Sequence, residues 1–259
     1  MRTNLVSAVV LVLSSVTAVG AKDAEAGTCP ISGKPGNPKI ALFHEGKSVT
    51  LCCKNCLGKF RASHENSLST DEKKVGWSLL FDGKSLKGFQ KPTRDGKWSV
   101  KDGSIHATGG RGVLATESKH DHFHLRFDAR IQDTGEKRGN SGVFIRSTGL
   151  KAFRGRWPDG YEVQMDHGDP KFWTGSLFKV TPSKKTGTKD GQWFQVEIEA
   201  FGPRIRVKVN GKLVTDYKDP KPAVKGPISF QVHHPTDVVE LKNIKVRAMS
   251  QTKKVDLKK

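Results

Sequence analysis

The feature of this sequence that most restricts its fold is a succession of short alternating segments after Gly76. Apolar and polar residues alternate within each segment, turn residues separate the segments, and no helical pattern lies between them. A period of two is typical of β-strands with one buried face, and Asn210-Gly211 between two segments indicates a tight hairpin. So many strands at this spacing predict a mainly β jelly-roll sandwich over residues 76–249.

Strict alternation places a group of polar side chains on one outer face of this sandwich. Within GYEVQMDHG the apolar residues must enter the core, so three polar residues face outward: Glu162, Gln164 and Asp166. Within ISFQVHH the same rule turns Gln231 and His233 outward. Carboxylates, amides and an imidazole on one β face are unusual for plain surface, so we predict that this face binds a ligand.

The stretch KRGNSGVFIRST adds a cation and an amide to the same face. Phe144 and Arg146 share one side of the strand, and the Gly-Asn-Ser-Gly bend brings Asn140 to its rim. We predict that Arg146 lies among the carboxylates and amides. The alternative is a structural ion pair between Arg146 and Glu162, and alternation does not decide between the two. His234 falls outside strict alternation and is predicted to be structural or solvated.

The N-terminal residues predict export. Arg2 is followed by an apolar stretch, and Val19-Gly20-Ala21 forms a small-residue cleavage site, so residues 1–21 have the pattern of a signal peptide. No later segment has the length and apolar character of a spanning helix. We therefore expect a soluble mature protein that is periplasmic or secreted, with no transmembrane segment after signal cleavage.

The formal net charge of +19 invites comparison with nucleic-acid-binding proteins. The lysines, however, are dispersed along the chain and bunch mainly in a basic tail, residues 250–259. The sequence contains neither a basic recognition helix nor an aromatic-basic RNA motif. We interpret the charge as a solvated basic surface suited to an anionic envelope or matrix, and we expect no nucleic-acid partner.

All four cysteines lie in residues 28–64, which predict a small separate module with a Pro/Gly-rich opening. Three of them fall at a predicted strand-to-helix corner and a distant one can close a tetrahedral thiolate site: Cys52, Cys53 and Cys56, with Cys29. Residues 65–75 are polar and lack periodicity, and they are predicted to be the linker to the sandwich.

This module resembles the small YHS/TRASH-like metal-binding domains, whose hallmark is a strand ending in Cys, then three residues, Cys, three residues and Phe. Here that pattern is formed by Cys52, Cys56 and Phe60. Thiolate ligands favour zinc or copper(I), and His44 and His64 are weaker candidate ligands. The alternative in an exported protein is a pair of disulfides, and the sequence leaves both interpretations open.

The segments of the second module follow one another in the order of a known family: GWSLLFDGKSLKGFQ, GKWSVKDGSI, GNSGVFIR, GYEVQMDHGD, TGSLF, GQWFQVEIEAFGPRIRVKVNGKLVTDY and GPISFQVHH…VELKNIKV. They resemble the 3-keto-disaccharide hydrolase family, which has a concanavalin A-like jelly-roll fold. The resemblance implies cleavage of glycosides whose sugar is already oxidised to a ketone at C3. It therefore implies a carbohydrate substrate and an upstream sugar 3-dehydrogenase as a functional partner.

The chemistry implied by the resemblance needs a general base and an oxyanion stabiliser. A C3 ketone acidifies the C2 proton, so a base can form an enediolate, the C1 substituent then leaves, and water adds. His233 is the predicted base, with Glu162 or Asp166 as alternatives, and Arg146 is the predicted stabiliser of the C3 oxygen. The predicted substrate contacts are hydrogen-bonding amides and stacking rings: Asn140, Gln164, Gln231, Trp157 and Trp173.

Two other functions stay open from the sequence. The jelly roll could be a non-catalytic carbohydrate-binding module, although such modules rely on exposed aromatic residues and need no acid-base cluster. Alternatively, the cysteine module could make the chain a metal-binding or metal-sensing protein. For the sandwich, a divalent cation shared by Glu162 and Asp166 is the less favoured arrangement, and no cofactor is assigned to it.

Overall fold

The computed structural model describes residues 27–44, 47–135, 138–148, 157–221 and 224–250. The predicted signal peptide lies outside the described residues, as does all of the predicted basic tail except Ser250. Within the described part of the chain, no helix combines the length and the apolar character that a membrane crossing requires.

The N-terminal module consists of a two-stranded antiparallel sheet followed by two helices. Its elements are β1 (Asn37–His44), β2 (Lys47–Leu51), α1 (Lys54–His64) and α2 (Thr70–Lys74). The Cys53 side chain caps α1 by accepting a hydrogen bond from the Cys56 backbone N–H. Phe60 points from α1 into a small buried cluster with Leu51 and Cys29. The helix is therefore attached to β2 through both its first turn and its apolar face.

The remaining strands form two antiparallel sheets that enclose one core. They are β3 (Trp77–Leu79), β4 (Lys97–Lys101), β5 (Ser104–Thr108), β6 (Gly112–Ala115), β7 (Phe123–Asp133), β8 (Asn140–Ile145), β9 (Tyr161–Asp166), β10 (Phe194–Phe201), β11 (Arg204–Val209), β12 (Lys212–Lys218), β13 (Ser229–Val232) and β14 (Asp237–Ala248). The larger sheet has the order β12-β11-β10-β7-β14-β5-β4, with β3 paired to β14, and the smaller has the order β6-β13-β8-β9. The predicted jelly-roll sandwich is confirmed.

The core is made by the inward-facing residue of each alternating pair. Val163 and Met165 of β9 are fully buried, and so is Phe230 of β13. Phe127 of the larger sheet packs edge-on against Phe230, with 5.4 Å between the ring centroids. The alternation predicted for these strands is confirmed, since their apolar residues leave water together and their polar residues point the other way.

Residues 65–75, predicted to be a linker, are folded against the larger sheet. The pairing of β14 shifts register after Lys242, and Asn243 in this bulge adopts the left-handed conformation with a φ of 53°. The Asn66 backbone N–H donates to Asn243 Oδ1 at 2.7 Å, and the Asn243 backbone N–H donates to Asn66 Oδ1 at 2.8 Å. These reciprocal hydrogen bonds fix the end of the N-terminal module to the sandwich.

Ion pairs extend the same contact. Glu65 pairs with Lys242, and Glu72 pairs with Lys245 at 2.9 Å and with Arg126 at 3.2 Å. Glu72 belongs to α2, which begins with a capping box that Glu72 itself completes. The polar composition that indicated a linker therefore reflects a polar interface, in which acidic residues of the module meet basic residues of the sheet.

We expect Asn66→Ala to lower the free energy of unfolding by about 1–3 kcal/mol. The buried Asn243 N–H would lose its acceptor, and alanine would be strained at the φ of 49° that Asn66 adopts. Urea unfolding of the purified protein measures the change. Asn55→Ala, exposed on α1, is the control and should change stability by less than about 0.5 kcal/mol. Equal stability of Asn66→Ala and the wild type would contradict a stabilising contact here.

Candidate active site

Polar residues lie together on the outer face of the smaller sheet. Strands β8 and β9 align Asn140 with Asp166 and Gly142 with Gln164, and β13, which carries Gln231, lies on the other side of β8. The Gln164 amide nitrogen is 3.5 Å from the Asn140 amide oxygen. Three of these side chains are almost fully buried, namely Gln164, Asp166 and Gln231. This face is therefore not ordinary solvated surface.

Glycine at position 142 makes room for a buried carboxyl group on this face. A Cβ at position 142 would lie 2.5 Å from Oε1 of Glu162, so the Glu162 side chain extends across β8. Burial raises the pKa of Glu162 to about 7, while the Gln231 amide and the Lys179 charge lower it in part. Neither the nitrogen nor the oxygen of the Gln231 amide makes a hydrogen bond of standard geometry among the described residues. Glu162 can therefore hold or release a proton near neutral pH.

A pocket of about 520 Å³ lies at one end of the face, where β8, β9 and the loop after β13 meet. Seven residues line it: Asp133, Arg138, Asn140, Asp166, His233, His234 and Asp237. Three of these are residues predicted from the sequence to lie at the site, namely Asn140, Asp166 and His233. The volume falls within the range of small-molecule sites, and the lining is polar enough to hold a sugar.

His233 is held in the pocket by ring stacking. Its imidazole centroid lies 5.5 Å from that of Trp157, with 24° between the planes, and Trp157 also stacks on Phe144 at 6.3 Å. Burial lowers the pKa of His233, and the nearby charges of Arg111 and His234 lower it further. The ring is therefore neutral at neutral pH and can accept a proton.

Asp166 brings a charged pair into the pocket. Its Oδ1 accepts hydrogen bonds from Arg138 Nε at 2.6 Å and from the backbone N–H groups of Gly168 and Asp169 at 2.8 and 2.9 Å. Its buried Oδ2 has no hydrogen-bond partner within the part of the chain that the structure describes. The Arg138 side chain is 47% exposed, so the pocket contains an accessible cation that is held in place by a buried carboxylate.

Asp237 is the second buried carboxyl group of the pocket. It accepts hydrogen bonds from the backbone N–H groups of Asn140 at 3.2 Å and of His234 at 2.7 Å. Burial and the nearby charge of Asp133 nevertheless raise the pKa of Asp237 to about 6. His234, predicted to be structural or solvated, is thus a pocket residue whose backbone positions this acid.

Arg146 lies elsewhere, which corrects its predicted place on the polar face. Its φ of 51° ends the extended backbone after Ile145, and its side chain is buried with Nη1 2.8 Å from Asp219 Oδ2. It also donates to the Gly202 carbonyl. The alternative ion pair with Glu162 is not formed either. Alternation assigns faces only while the backbone stays extended, and the left-handed turn at Arg146 breaks that condition.

Trp173 and the residues that the sequence analysis missed lie outside the alternating segments. Trp173 is half-buried in the loop after β9, away from the pocket lining, with Lys185 Nζ 4.6 Å from its ring centroid. Arg138 precedes β8, and Asp237 begins β14. Arg138 stands two residues before Asn140 in the stretch KRGNSGVFIRST, so its charge beside a predicted site residue indicates a role there.

The cysteines form a second cluster, in the N-terminal module. Cys29, Cys52 and Cys56 have sulfur atoms within 4.8 Å of one another. All four cysteines are free, so the alternative of disulfides is not what the structure contains. Cys53 Sγ is 3.8 Å from Cys52 Sγ but caps α1 and lies outside the trio. Three sulfur ligands at this spacing fit a soft metal ion.

The cysteine trio and the nearby histidines have different surroundings. Burial raises the pKa of Cys29, but hydrogen bonds from the Ser32 side chain and from backbone groups lower it to about 6. The predicted weaker ligands His44 and His64 instead pack on Phe60, with ring centroids 5.2 and 4.2 Å away. The structure thus brings three of the predicted metal ligands together, whereas both histidines lie outside this trio.

Comparison with known proteins agrees with this fold. The model of the 3-keto-alpha-glucoside-1,2-lyase-like domain matches residues 76–247, and the chain belongs to this family. It is therefore a carbohydrate-acting jelly-roll protein. A comparison with curated proteins finds no match.

Two solved structures from Parabacteroides distasonis ATCC 8503, both described as a "putative glycosyl hydrolase", are similar to the chain. The first has a TM-score of 0.62 at 21% identity and covers 72% of this chain and 100% of its own. The second has a TM-score of 0.55 at 24% identity and covers 67% of this chain and 99% of its own. At such identities the likeness shows the fold.

The raised pKa of Glu162 predicts a pH-dependent stability. The folded protein holds this proton up to about pH 7, whereas the ordinary value is 4.5, so the wild type loses stability as pH rises between the two. We expect Glu162→Gln to gain about 2–3 kcal/mol relative to the wild type between pH 4.5 and 7.5. Urea unfolding at a series of pH values measures the difference, with exposed Glu117→Gln as the control. A difference independent of pH would contradict the raised pKa.

Proposed function

We propose that the protein is an exported enzyme that cleaves 3-keto-glycosides, including 3-keto-disaccharides, by C2 proton abstraction and loss of the C1 substituent. The observation that carries the proposal is the neutral, stacked imidazole of His233 in a polar pocket that also holds Arg138 and Asp166. Membership in the family supports it. Such a reaction needs a base and an oxyanion stabiliser rather than the paired carboxylates of ordinary glycosidases.

The proton transfers are assigned to two groups whose pKa values are moved by burial. His233 accepts the C2 proton, and the electrons of the C2–H bond form an enediolate with the C3 oxygen. The C3 carbonyl then re-forms, a C1–C2 double bond forms, and the C1–O bond breaks. Glu162 donates its proton to the leaving oxygen. Water adds across the double bond and gives the free 3-keto sugar.

Charge stabilisation and orientation are assigned to the rest of the site. Arg138 stabilises the negative C3 oxygen, the role that the sequence analysis gave to Arg146. Asp166 holds the Arg138 guanidinium through Nε and so fixes the position of the cation in the pocket. The Asn140 amide lines the pocket and offers a donor and an acceptor to further hydroxyls, and the Gln164 amide nitrogen lies 3.5 Å from its oxygen.

The proposed function also implies an upstream enzyme and a location outside the cytoplasm. The substrate must already carry a ketone at C3, so an enzyme that oxidises glycosides at that carbon, a sugar 3-dehydrogenase, must act first. The signal-peptide pattern in residues 1–21 supports a periplasmic or secreted location. The cysteine module would be exported with the enzyme because both belong to one chain.

We expect the purified protein to cleave a 3-keto-disaccharide but not its unoxidised parent, with deuterium at C2 of the product in deuterated water. NMR follows both the cleavage and the label. His233→Ala should lose at least about a hundredfold in rate, because a positioned base contributes that much, while its folding is unchanged. His106→Ala, on the larger sheet, is the control and should keep the wild-type rate.

The outcomes separate the mechanism from the activity. Cleavage of the keto form without deuterium at C2, in a site that exchanges protons with solvent, would remove the enediolate route. Normal turnover by His233→Ala would remove His233 from the mechanism. Binding of both sugars with no cleavage of either would place the sandwich among carbohydrate-binding modules.

We also propose that the cysteine trio binds zinc or copper(I). The sulfur atoms of Cys52 and Cys56 are 3.5 Å apart, close to the separation of two thiolates on one tetrahedral ion with Zn–S bonds of about 2.3 Å. Cys29 supplies a third sulfur, and Cys53 is the next thiol in reach. The cluster lies in the module that resembles metal-binding domains, which supports the assignment.

We expect one zinc or copper(I) ion per chain after anaerobic dialysis, measured by elemental analysis. Cys52→Ser should lose most of the bound metal because it removes one of the three clustered ligands. Cys53→Ser is the matched variant and should keep the ion, since Cys53 lies outside the trio. Equal loss from both variants would contradict the assignment of the trio, and wild-type protein without metal would contradict the site.

A further inference from the structure

The loop after β9 returns along the free edge of that strand. The Phe178 backbone N–H donates to the Glu162 carbonyl at 2.9 Å, and the Gln164 backbone N–H donates to the Ser176 carbonyl at 2.9 Å. Between them, Leu177 bridges to β9 and is fully buried in the core. These hydrogen bonds place Phe178 directly beside Glu162 at the edge of the smaller sheet.

Two aromatic rings and two ammonium groups stand together at this edge. Phe172 packs against Phe178 with 5.3 Å between ring centroids and 69° between the planes. Lys171 Nζ lies 5.4 Å from the Phe172 centroid, and Lys179 Nζ lies 5.3 Å from the Phe178 centroid. We name these four residues the basic aromatic wall. Each half presents a ring with a cation above it, an arrangement that suits a planar ligand carrying a negative charge.

Within the described part of the chain, the cations of the wall form no ion pair with an acidic residue. Lys171 and Lys179 are both exposed, and neither lies within ion-pair distance of a carboxylate among the described residues. Lys179 is nevertheless near enough to Glu162 to act on its charge. The same loop carries two further exposed lysines, Lys184 and Lys185, and neither forms an ion pair among the described residues. An anion that enters beside Glu162 would therefore meet unneutralised positive charge.

The loop holds the wall in place through its own hydrogen bonds. The Lys171 and Phe172 backbone N–H groups donate to Asp169 Oδ1 at 2.8 and 2.6 Å. Farther along, the Ser183 backbone N–H donates to Ser176 Oγ at 2.8 Å. The rings are thus presented by an ordered turn, so little side-chain freedom is lost when a ligand packs on them.

We infer that the basic aromatic wall binds the leaving group of the glycoside, and that the favoured leaving groups are aromatic and negatively charged. The inference rests on the proposed function, in which Glu162 protonates the leaving oxygen. The keto sugar occupies the pocket at His233, and the leaving group extends from Glu162 over Phe178 toward Lys179. The wall then selects substrates by their aglycone, whereas the pocket selects the oxidised sugar.

The test compares two 3-keto-glucosides that differ in one charge, those of 4-hydroxybenzoate and of 4-hydroxybenzamide. The two phenols differ in acidity, so the informative quantity is the change in their kcat/KM ratio between protein variants. We expect Lys179→Gln to lower the carboxylate-to-amide ratio about two- to fivefold, as an exposed ion pair would. Lys101→Gln, also exposed and on β4, is the matched control and should leave the ratio unchanged. Raising the salt concentration to about 1 M should remove the preference in the wild type.

Binding of the same two glycosides, measured by calorimetry, judges the wall independently of turnover. Weaker binding of the carboxylate to Lys179→Gln, with amide binding unchanged, supports the wall even in a protein that cleaves neither compound. Cleavage of neither compound by the wild type would overturn the proposed function alone. Equal ratios in the wild type and Lys179→Gln, in both rate and binding, would overturn the wall and leave the proposed function standing.

Discussion

The polar face of the smaller sheet depends on the missing side chain at Gly142. Because β8 has no Cβ at that position, the carboxyl group of Glu162 can cross from β9 and reach the Gln231 amide on β13. Any larger residue would push Glu162 back toward water, and its pKa would fall toward the ordinary value. The pKa of Glu162 on β9 therefore depends on the glycine at position 142 of the neighbouring strand β8.

Burial shifts the pKa values of the two proton-transfer groups in opposite directions and favours the uncharged form of both. It disfavours the charged form of each, so the pKa of the His233 imidazole falls while that of the Glu162 carboxyl group rises to about 7. Near pH 7 an accepting base and a donating acid can thus coexist on one face. A matched pair of this kind needs no charged partner on either member, only the removal of water from both.

Alternation predicted the jelly roll and much of the polar face, because a strand with one buried side leaves little freedom to the other. It correctly turned Glu162 and His233 outward. It misplaced Arg146, where a left-handed residue ends the extended backbone. It could not find Arg138 or Phe178, which reach the site from loops, because loop residues meet strands through contacts between distant parts of the chain that no period in the sequence records.

The contact at the Asn243 bulge joins residues outside the family match to the sandwich. The family match begins at residue 76, yet Asn66, Glu65 and Glu72 supply hydrogen bonds and counter-charges to β14. A fragment cut at the family boundary would leave the buried ammonium of Lys242 without its acid, and removal of one partner from a buried pair is costly. The folded unit is therefore longer than the segment that the family match covers. The end of the N-terminal module contributes to the stability of the sandwich.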